Sequence, residues 1–268
     1  MRRCSRQGPR NFEEQIFAAF VKPGDVVYDV GANLGLTSFF LSRLAGRRGL
    51  VLAFEPVAAT YLQLLKNISA ISVWKSTIWP FNFGFYSSSL ITTISVPNGV
   101  HELASLAPTS RWITQHLASQ YTTQECAFFS LDEFVFNEHI PKPSFVKFDV
   151  EGAERYVVEG AKKLLFSGNL PVLFLEVFAP WQRAFGYTPA DFFQLFHGSS
   201  YLFFFLCPEG LIRHTPTPDC PFPAEFIRGY NVLAIPRNND ELLRIAMTFS
   251  PEKQPRLLKM QPPPERNL

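Results

Sequence analysis

Three groups of residues have the types and spacing that chemistry needs. The first is Val26-Val27-Tyr28-Asp29-Val30-Gly31-Ala32-Asn33-Leu34-Gly35, where an apolar strand runs through a glycine-containing turn into a helix. In an open α/β sheet, ligands collect at the carboxyl end of such a strand, and the N–H groups of the following helix start can hold an anion. A nucleoside triphosphate needs G-x-x-x-x-G-K-[ST], and no Lys follows Gly35. A dinucleotide needs G-x-G-x-x-G, but Asn33 stands at the second glycine and Leu36 at the third, so approach to a pyrophosphate is blocked twice. A ligand with an amino-acid end and no pyrophosphate needs less room. S-adenosylmethionine is of this kind: its carboxylate suits the N–H groups, and Asp29 suits its cationic part.

Glu55 ends a second apolar run, Leu50-Val51-Leu52-Ala53-Phe54-Glu55-Pro56. It follows the loop at the distance expected of an acid that accepts both hydroxyls of a ribose. Alone it would be an ordinary solvated turn residue; behind this loop it points to an adenosine cofactor without pyrophosphate. The third group is Asp149 and Glu151, after the apolar run Phe145 to Phe148. They are expected at the same sheet edge, where a carboxylate can orient an acceptor hydroxyl and take its proton. The competing role for both is to cap the helix that begins near Ala153, since acids favour helix starts. Lys147 is expected on the strand face opposite Asp149, in a structural ion pair. Glu176 ends another apolar run and either faces the acceptor or pairs with an Arg.

On these residues the chain resembles the FkbM-type family of S-adenosylmethionine-dependent methyltransferases. The matching stretches are Tyr28 to Gly35, Ala53-Phe54-Glu55-Pro56, and Phe145-Val146-Lys147-Phe148-Asp149-Val150-Glu151-Gly152-Ala153-Glu154. Ser130-Leu131-Asp132-Glu133-Phe134 is similar to the segment that precedes the last of these. The resemblance covers Val26 to Val177, and the Lys-x-Asp-x-Glu-Gly-x-Glu run is its most family-specific sign. It implies a Rossmann-like class I methyltransferase fold and methyl transfer to oxygen, often on a sugar or other secondary metabolite. Residue by residue, it implies that Gly31, Asn33 and Gly35 shape the methionine pocket, with Asp29 beside it. It further implies that Glu55 takes the ribose and that Asp149 and Glu151 line the transfer site. One departure is plain: the family carries an Asp near the adenine after its third strand, and Ser76 to Asn82 contains no acid.

The elements that must position these residues alternate. Strands are expected at Val26–Val30, Leu50–Phe54, Ile71–Trp74, Ala127–Ser130, Phe145–Phe148, Val172–Val177, Tyr201–Leu206 and Asn231–Ile235. Helices are expected at Leu36–Leu44, Ala58–Asn67, Ala153–Leu165 and Pro189–Phe196. Pro80 to Pro97 has β-hairpin character, and Asn98 to Thr123 is irregular. Such alternation predicts an α/β fold: a mostly parallel central sheet with helices on both faces and an inserted β-hairpin. Residues 1–24 form a tail and a short helix with Asn11 at its start, 25–250 the domain, and 251–268 a Pro-rich, disordered tail.

Composition narrows the partners. The formal charge of +2 offers no electrostatic case for a nucleic-acid groove. Cys4, Cys126, Cys207 and Cys220 include no C-x-x-C pair, and the five His match no ligand spacing, so no metal site is expected and a reducing, cytoplasmic setting is the default. Ser76 to Val100 is uncharged and long enough to span a membrane. Pro80, Asn82, Gly84 and the alternation of Phe81, Phe83 and Phe85 suit a half-buried β structure instead. His101 and His116 lie in the irregular stretch that could fold over an acceptor. Trp79, Trp112 and Trp181 are core residues or stacking partners. The leading expectation is metal-independent methylation of a hydroxyl on a small molecule or glycan. A nicotinamide-dependent oxidoreductase and a non-catalytic S-adenosylmethionine-binding module are the alternatives.

Overall fold

Side chains along the first strand serve two cores at once. In the computed structural model, which describes residues 11–70, 77–98, 103–107, 121–223 and 231–251, Tyr28 and Val30 of β1 (Val26–Val30) enter one apolar cluster. Val27 enters a second cluster on the other face. A strand buried on both sides reads as a continuous apolar run, which is how Val26–Val30, Leu50–Phe54 (β2) and Phe145–Phe148 (β7) appear in the sequence.

These strands belong to an eight-stranded sheet of order β10-β9-β11-β8-β7-β1-β2-β3. Its parallel half runs β3 (Ile78–Phe81), β2, β1, β7 and β8 (Val172–Glu176). β11 (Asn231–Pro236) is antiparallel to both β8 and β9 (Tyr201–Cys207), and β10 (Gly210–His214) completes the edge. On one face lie α1 (Phe12–Phe20), α2 (Leu36–Ala45), α3 (Ala58–Ala70) and, near the end of the chain, α9 (Asp240–Thr248). The other face carries α4 (Leu131–Asn137), α5 (Glu154–Glu159), α6 (Lys162–Phe166) and α8 (Pro189–Gln194). A short α7 (Ala179–Ala184) packs at the edge through Trp181. This is the expected mostly parallel α/β sheet.

α1 forms for the reasons its sequence gives. Asn11 Oδ1 accepts the Glu14 N–H at 2.8 Å, and Ile16, Phe17 and Phe20 bury one face. Phe17 lies edge-on to Phe174 at 4.8 Å and to Phe145 at 5.8 Å, so the N-terminal helix is bolted to the central sheet.

Two local expectations need correction. The β structure after Pro80 is not a local hairpin. Ile78–Phe81 becomes the third parallel strand, while β4 (Gly84–Tyr86) and β5 (Leu90–Pro97) flank β6 (Tyr121–Ser130) in a separate three-stranded sheet. The antiparallel partner of Leu90–Pro97 therefore comes from beyond residue 120, a pairing that no local turn signal announces. The strand expected at Ile71–Trp74 lies outside the described residues.

The helix expected over Ala153–Leu165 is also broken, at Gly160 between α5 and α6. The Gly160 carbonyl turns aside to accept the Asp132 N–H and the Ser130 hydroxyl, each at 2.9 Å. Asp132 in turn accepts the Lys163 and Leu164 N–H groups at 2.7 and 2.8 Å, capping the new helix. Ser130-Leu131-Asp132 is thus the joint that lets β6 dock against the α5–α6 corner. Among the described residues no helix is long and apolar enough to cross a membrane.

A Cβ on Gly160 would come within 2.1 Å of the Tyr86 carbonyl oxygen, and a backbone atom cannot rotate away. Gly160→Ala is expected to cost about 2 kcal/mol through overpacking. Urea unfolding should show a lowered midpoint with an unchanged slope.

Candidate active site

Gly31 takes φ +83, Asn33 +50 and Gly35 +88, so three left-handed residues fold the chain back between β1 and α2. Gly31 is required by its neighbour as well as its backbone: a Cβ there would lie 1.8 Å from the Asp149 carbonyl oxygen. The Gly31 and Ala32 N–H groups are spent on the Phe54 carbonyl at 3.1 and 2.9 Å, and Asn67 Nδ2 braces the Leu34 carbonyl at 2.9 Å. Leu36 and Thr37, in the first turn of α2, face the cavity. Helix starts leave N–H groups without intrahelical partners, and α2 has no side-chain cap to consume them.

Glu55 and this loop prove to be one unit. Glu55 Oε2 accepts the Asn33 N–H at 3.0 Å, and Oε1 accepts the Val57 N–H at 2.8 Å. Each oxygen keeps a lone pair for a hydroxyl. Burial pushes the carboxyl up to about 7, against the pull of the two backbone donors.

At the centre of the edge, Asp29, Lys147, Asp149 and Glu176 gather on one face. Asp29 and Lys147 are cross-strand partners in the β1–β7 register. Residues two apart on a strand share a face, so Lys147 does not point away from Asp149 as expected: its Nζ donates to Asp149 Oδ2 at 2.8 Å. It also sits 3.7 Å from Asp29 Oδ1, which fulfils the expected ion-pair role. Burial opposes the ammonium charge, but Asp149 and Asp29 hold its pKa above the ordinary lysine value. Burial raises the Asp29 carboxyl despite Lys147 and the Ser38 hydroxyl, which donates to Oδ2 at 2.5 Å. For Asp149 burial also acts against ionisation, yet Lys147 wins and keeps its carboxyl below the usual range.

Glu176 meets Asp149 rather than an arginine. One carboxyl oxygen from each of Asp149, Glu151 and Glu176 lies within 4.8 Å of the others. Burial first, then Asp149, Glu151 and Glu154, raises Glu176 well above a normal carboxylic acid. Glu151 adopts φ +52, with its carbonyl held by the Ser105 hydroxyl at 2.8 Å. Neither Asp149 nor Glu151 caps the following helix. α5 begins at Glu154, whose Oε1 accepts the Val150 and Gly152 N–H groups at 3.0 and 3.3 Å. Glu154 is fully buried and pushed up to about 7, and the Tyr187 hydroxyl locks the same turn through the Gly152 carbonyl at 2.6 Å.

One cavity of about 540 Å³ joins these pieces, a size suited to a cofactor. Of the residues expected at the site, Gly31, Asn33, Glu55, Asp149 and Glu151 line it, together with Lys147 and Glu176. Asp29 is fully buried beneath the loop, and Gly35 packs under α3, where a Cβ would lie 2.4 Å from Leu64 Cδ1. Both act from behind the wall. Residues the motifs did not indicate also line it: Glu13 of α1, Asn231 of β11, and Val57, Phe85, Ile94 and Phe128 beside Glu55. Apart from Val57, which follows Glu55 by two residues, chain-distant packing brings them there. Asn82, the last residue of the stretch that lacks the family's acid, donates Nδ2 to the Glu55 and Pro56 carbonyls at 2.9 and 3.1 Å. His101, His116 and Trp112 lie outside the described residues. Trp79 is 46% exposed on the edge strand, and Trp181 is buried against Gly152, so both miss the cavity.

Residues 29–203 match the methyltransferase FkbM domain, well over half of the chain. The chain belongs to the FkbM methyltransferase family, and its cofactor is S-adenosylmethionine. A curated relative, the hexuronic acid methyltransferase AglP of Haloferax volcanii, is 29% identical over 153 residues, 56% of this chain and 55% of that protein. The chain thus spans about half the length of that relative. Among solved structures, methyltransferase FkbM of Methylobacillus flagellatus is similar at TM-score 0.48 and 14% identity, over 79% of this chain and 43% of that one. Fibrillarin of Aeropyrum pernix, solved with S-adenosylmethionine, is similar at TM-score 0.42 and 12% identity, over 82% and 73%. Family membership removes the nicotinamide alternative.

The residues fit this cofactor: an uncapped helix start faces the cavity for its carboxylate, and Glu55 offers two oriented acceptors for its ribose. The ribose hydroxyls need the ionised acid. Cofactor affinity is therefore expected to fall about tenfold per pH unit below about 7, with a proton released on binding. Glu55→Gln should weaken binding about 10- to 100-fold and abolish that pH dependence, which calorimetry in two buffers measures directly.

Proposed function

We propose that this chain transfers a methyl group from S-adenosylmethionine to a hydroxyl oxygen of a small molecule or glycan. The catalytic unit is residues 25–250 with α1 docked on it, working in the cytoplasm without a metal. The observation that carries the proposal is the shared cavity, in which the Gly31–Leu34 loop and Glu55 face the same space as Asp149, Glu151 and Glu176. A relative named for methylating hexuronic acid supports a glycan acceptor.

Bound S-adenosylmethionine supplies a methyl group already activated by its sulfonium, so the chain must add alignment and exclusion of water. The first turn of α2 holds the carboxylate end and Glu55 the ribose. Asp29, buried under the loop, contributes negative potential from behind. Asp149 stands on the cavity wall with one oxygen fixed by Lys147, which keeps it ionised and able to accept a hydroxyl proton. The same ammonium pairs with Asp149 through Oδ2 and leaves Oδ1 free to face the acceptor.

Incubation with methyl-labelled cofactor and a panel of neutral and acidic glycans is the direct assay. Label on an acceptor oxygen supports the proposal; tight cofactor binding without transfer to any acceptor would favour a non-catalytic module. Asp149→Asn is expected to lower kcat about 100-fold while changing cofactor affinity less than about twofold.

A further inference from the structure

Glu176 is a buried carboxyl on the cavity wall to which the proposed transfer gives no role. It ends β8, next to Asp149 at the end of β7, and the β7–β8 register carries both onto the face of Lys147 and Phe174. Its Oε2 is buried with no hydrogen-bond partner among the described residues. Around it stand Asp149 and Lys147 of β7, Glu151 and Glu154 on the β7–α5 turn, Asn231 opposite in the β11 register, and Glu13 of α1 along the wall. The Lys147 ammonium is spent on Asp149 and Asp29. The Asp149 and Glu176 carboxyls are crowded within 4.8 Å beside that one shared ammonium, and two ionised carboxylates are both acceptors and repel; a proton on one of them replaces repulsion with a hydrogen bond. Lys147 holds Asp149 as the ion, so the proton belongs to Glu176.

We propose that Glu176 works as a neutral acid whose O–H donates to Asp149 and fixes the carboxylate that receives the acceptor's proton. It is a positioning residue, and its catalytic consequence rests on the O-methyl transfer proposed above. In that step the acceptor oxygen bonds to the methyl carbon, and the carbon–sulfur bond breaks with its electron pair left on sulfur. The hydroxyl proton passes to Asp149. Water then removes it, and Glu176 keeps its own proton throughout. The device is economical in charge: an ionised Glu176 would add repulsion against Asp149, Glu151 and Glu154 and loosen the hold on Asp149.

The full-length chain allows two independent readouts. At about pH 8, where Glu55 and Glu154 are mostly ionised, infrared difference spectra of the wild type should show a protonated carboxyl C=O band that Glu176→Gln removes. In the pH profile, wild-type kcat should fall on the alkaline side as Glu176 ionises, and Glu176→Gln, a permanent neutral donor, should flatten that limb. Glu176→Gln should keep turnover within about tenfold of wild type, while Glu176→Ala loses more, with cofactor affinity changed less than about twofold in both. A band that survives Glu176→Gln, or an alkaline limb unchanged by it, overturns the proposal. So does wild-type turnover that rises with added Mg²⁺ and loses that response in Glu176→Gln, because Glu176 is then an ionised cation ligand. The infrared result stands apart from the acceptor: band loss with methylation only on nitrogen would defeat the O-methyl reading and leave the proton on Glu176.

Discussion

One buried ammonium sets the order of this sheet edge. Lys147 lies between Asp29 and Asp149, and all three are fixed by strand register rather than by flexible loops. A charge removed from water is tolerated only with oriented partners, so the carboxyl ends of β1 and β7 must stay level for Lys147 to remain satisfied. That constraint reaches outward. Asp29 holds Ser38 of α2, and α2 follows the loop whose Gly31 touches the Asp149 backbone. The glycine loop and the Asp149 carboxylate are therefore held to each other through a single polar knot between two apolar cores.

Burial, not excess positive charge, tunes the other acids. Glu55 and Glu154 are each raised to about 7, and each is nevertheless held by two backbone N–H donors. An acid poised in this way responds to a ligand: when hydroxyl donors arrive at Glu55, the ionised form gains partners that the empty pocket lacks. Glu154 has no such visitor, since its donors belong to its own turn, and its role is to hold Val150 to Gly152 in shape. The same chemical group thus serves recognition in one place and architecture in the other.

Four of the five parallel strands, all but β3, were legible because their signals are local. Val26–Val30 and Phe145–Phe148 are apolar runs buried on both faces, and Asp29, Glu55 and Asp149 each follow from a strand end. The sequence misled where a contact is distant or where one carbonyl outweighs helix propensity. Periodicity favours one helix over Ala153–Leu165, but it cannot register that Ser130 and Asp132 claim the Gly160 carbonyl. Of the alternating Phe81, Phe83 and Phe85, the first and last sit in strands and Phe83 in the connection between them, yet β4 and β5 each pair with β6 instead of each other. The motif containing Lys147 and Asp149 was recognised while its geometry was misjudged, since the two-residue period puts both side chains on one face.

The two ends of the cavity are built from unrelated parts of the chain, and this explains why one was readable and the other was not. Beside Glu55, the wall is Val57 with Ile94 and Phe128, apolar residues of the small sheet that cluster together. Cys126 of the same sheet donates its thiol to the Pro56 carbonyl, which ties that wall to the cofactor loop. At the far end, Asn231 donates to Glu13 and faces Glu176 across the β11–β8 register, joining the first helix, the eighth strand and the last strand. A cofactor common to a family can be served by short fixed motifs, because its shape does not change. The far end is lined by side chains from three separate elements, none of which forms part of the Lys147 knot. Asp149 and Glu176 lie where the two ends meet, so that carboxyl pair joins the short-motif half of the cavity to the half assembled from distant elements.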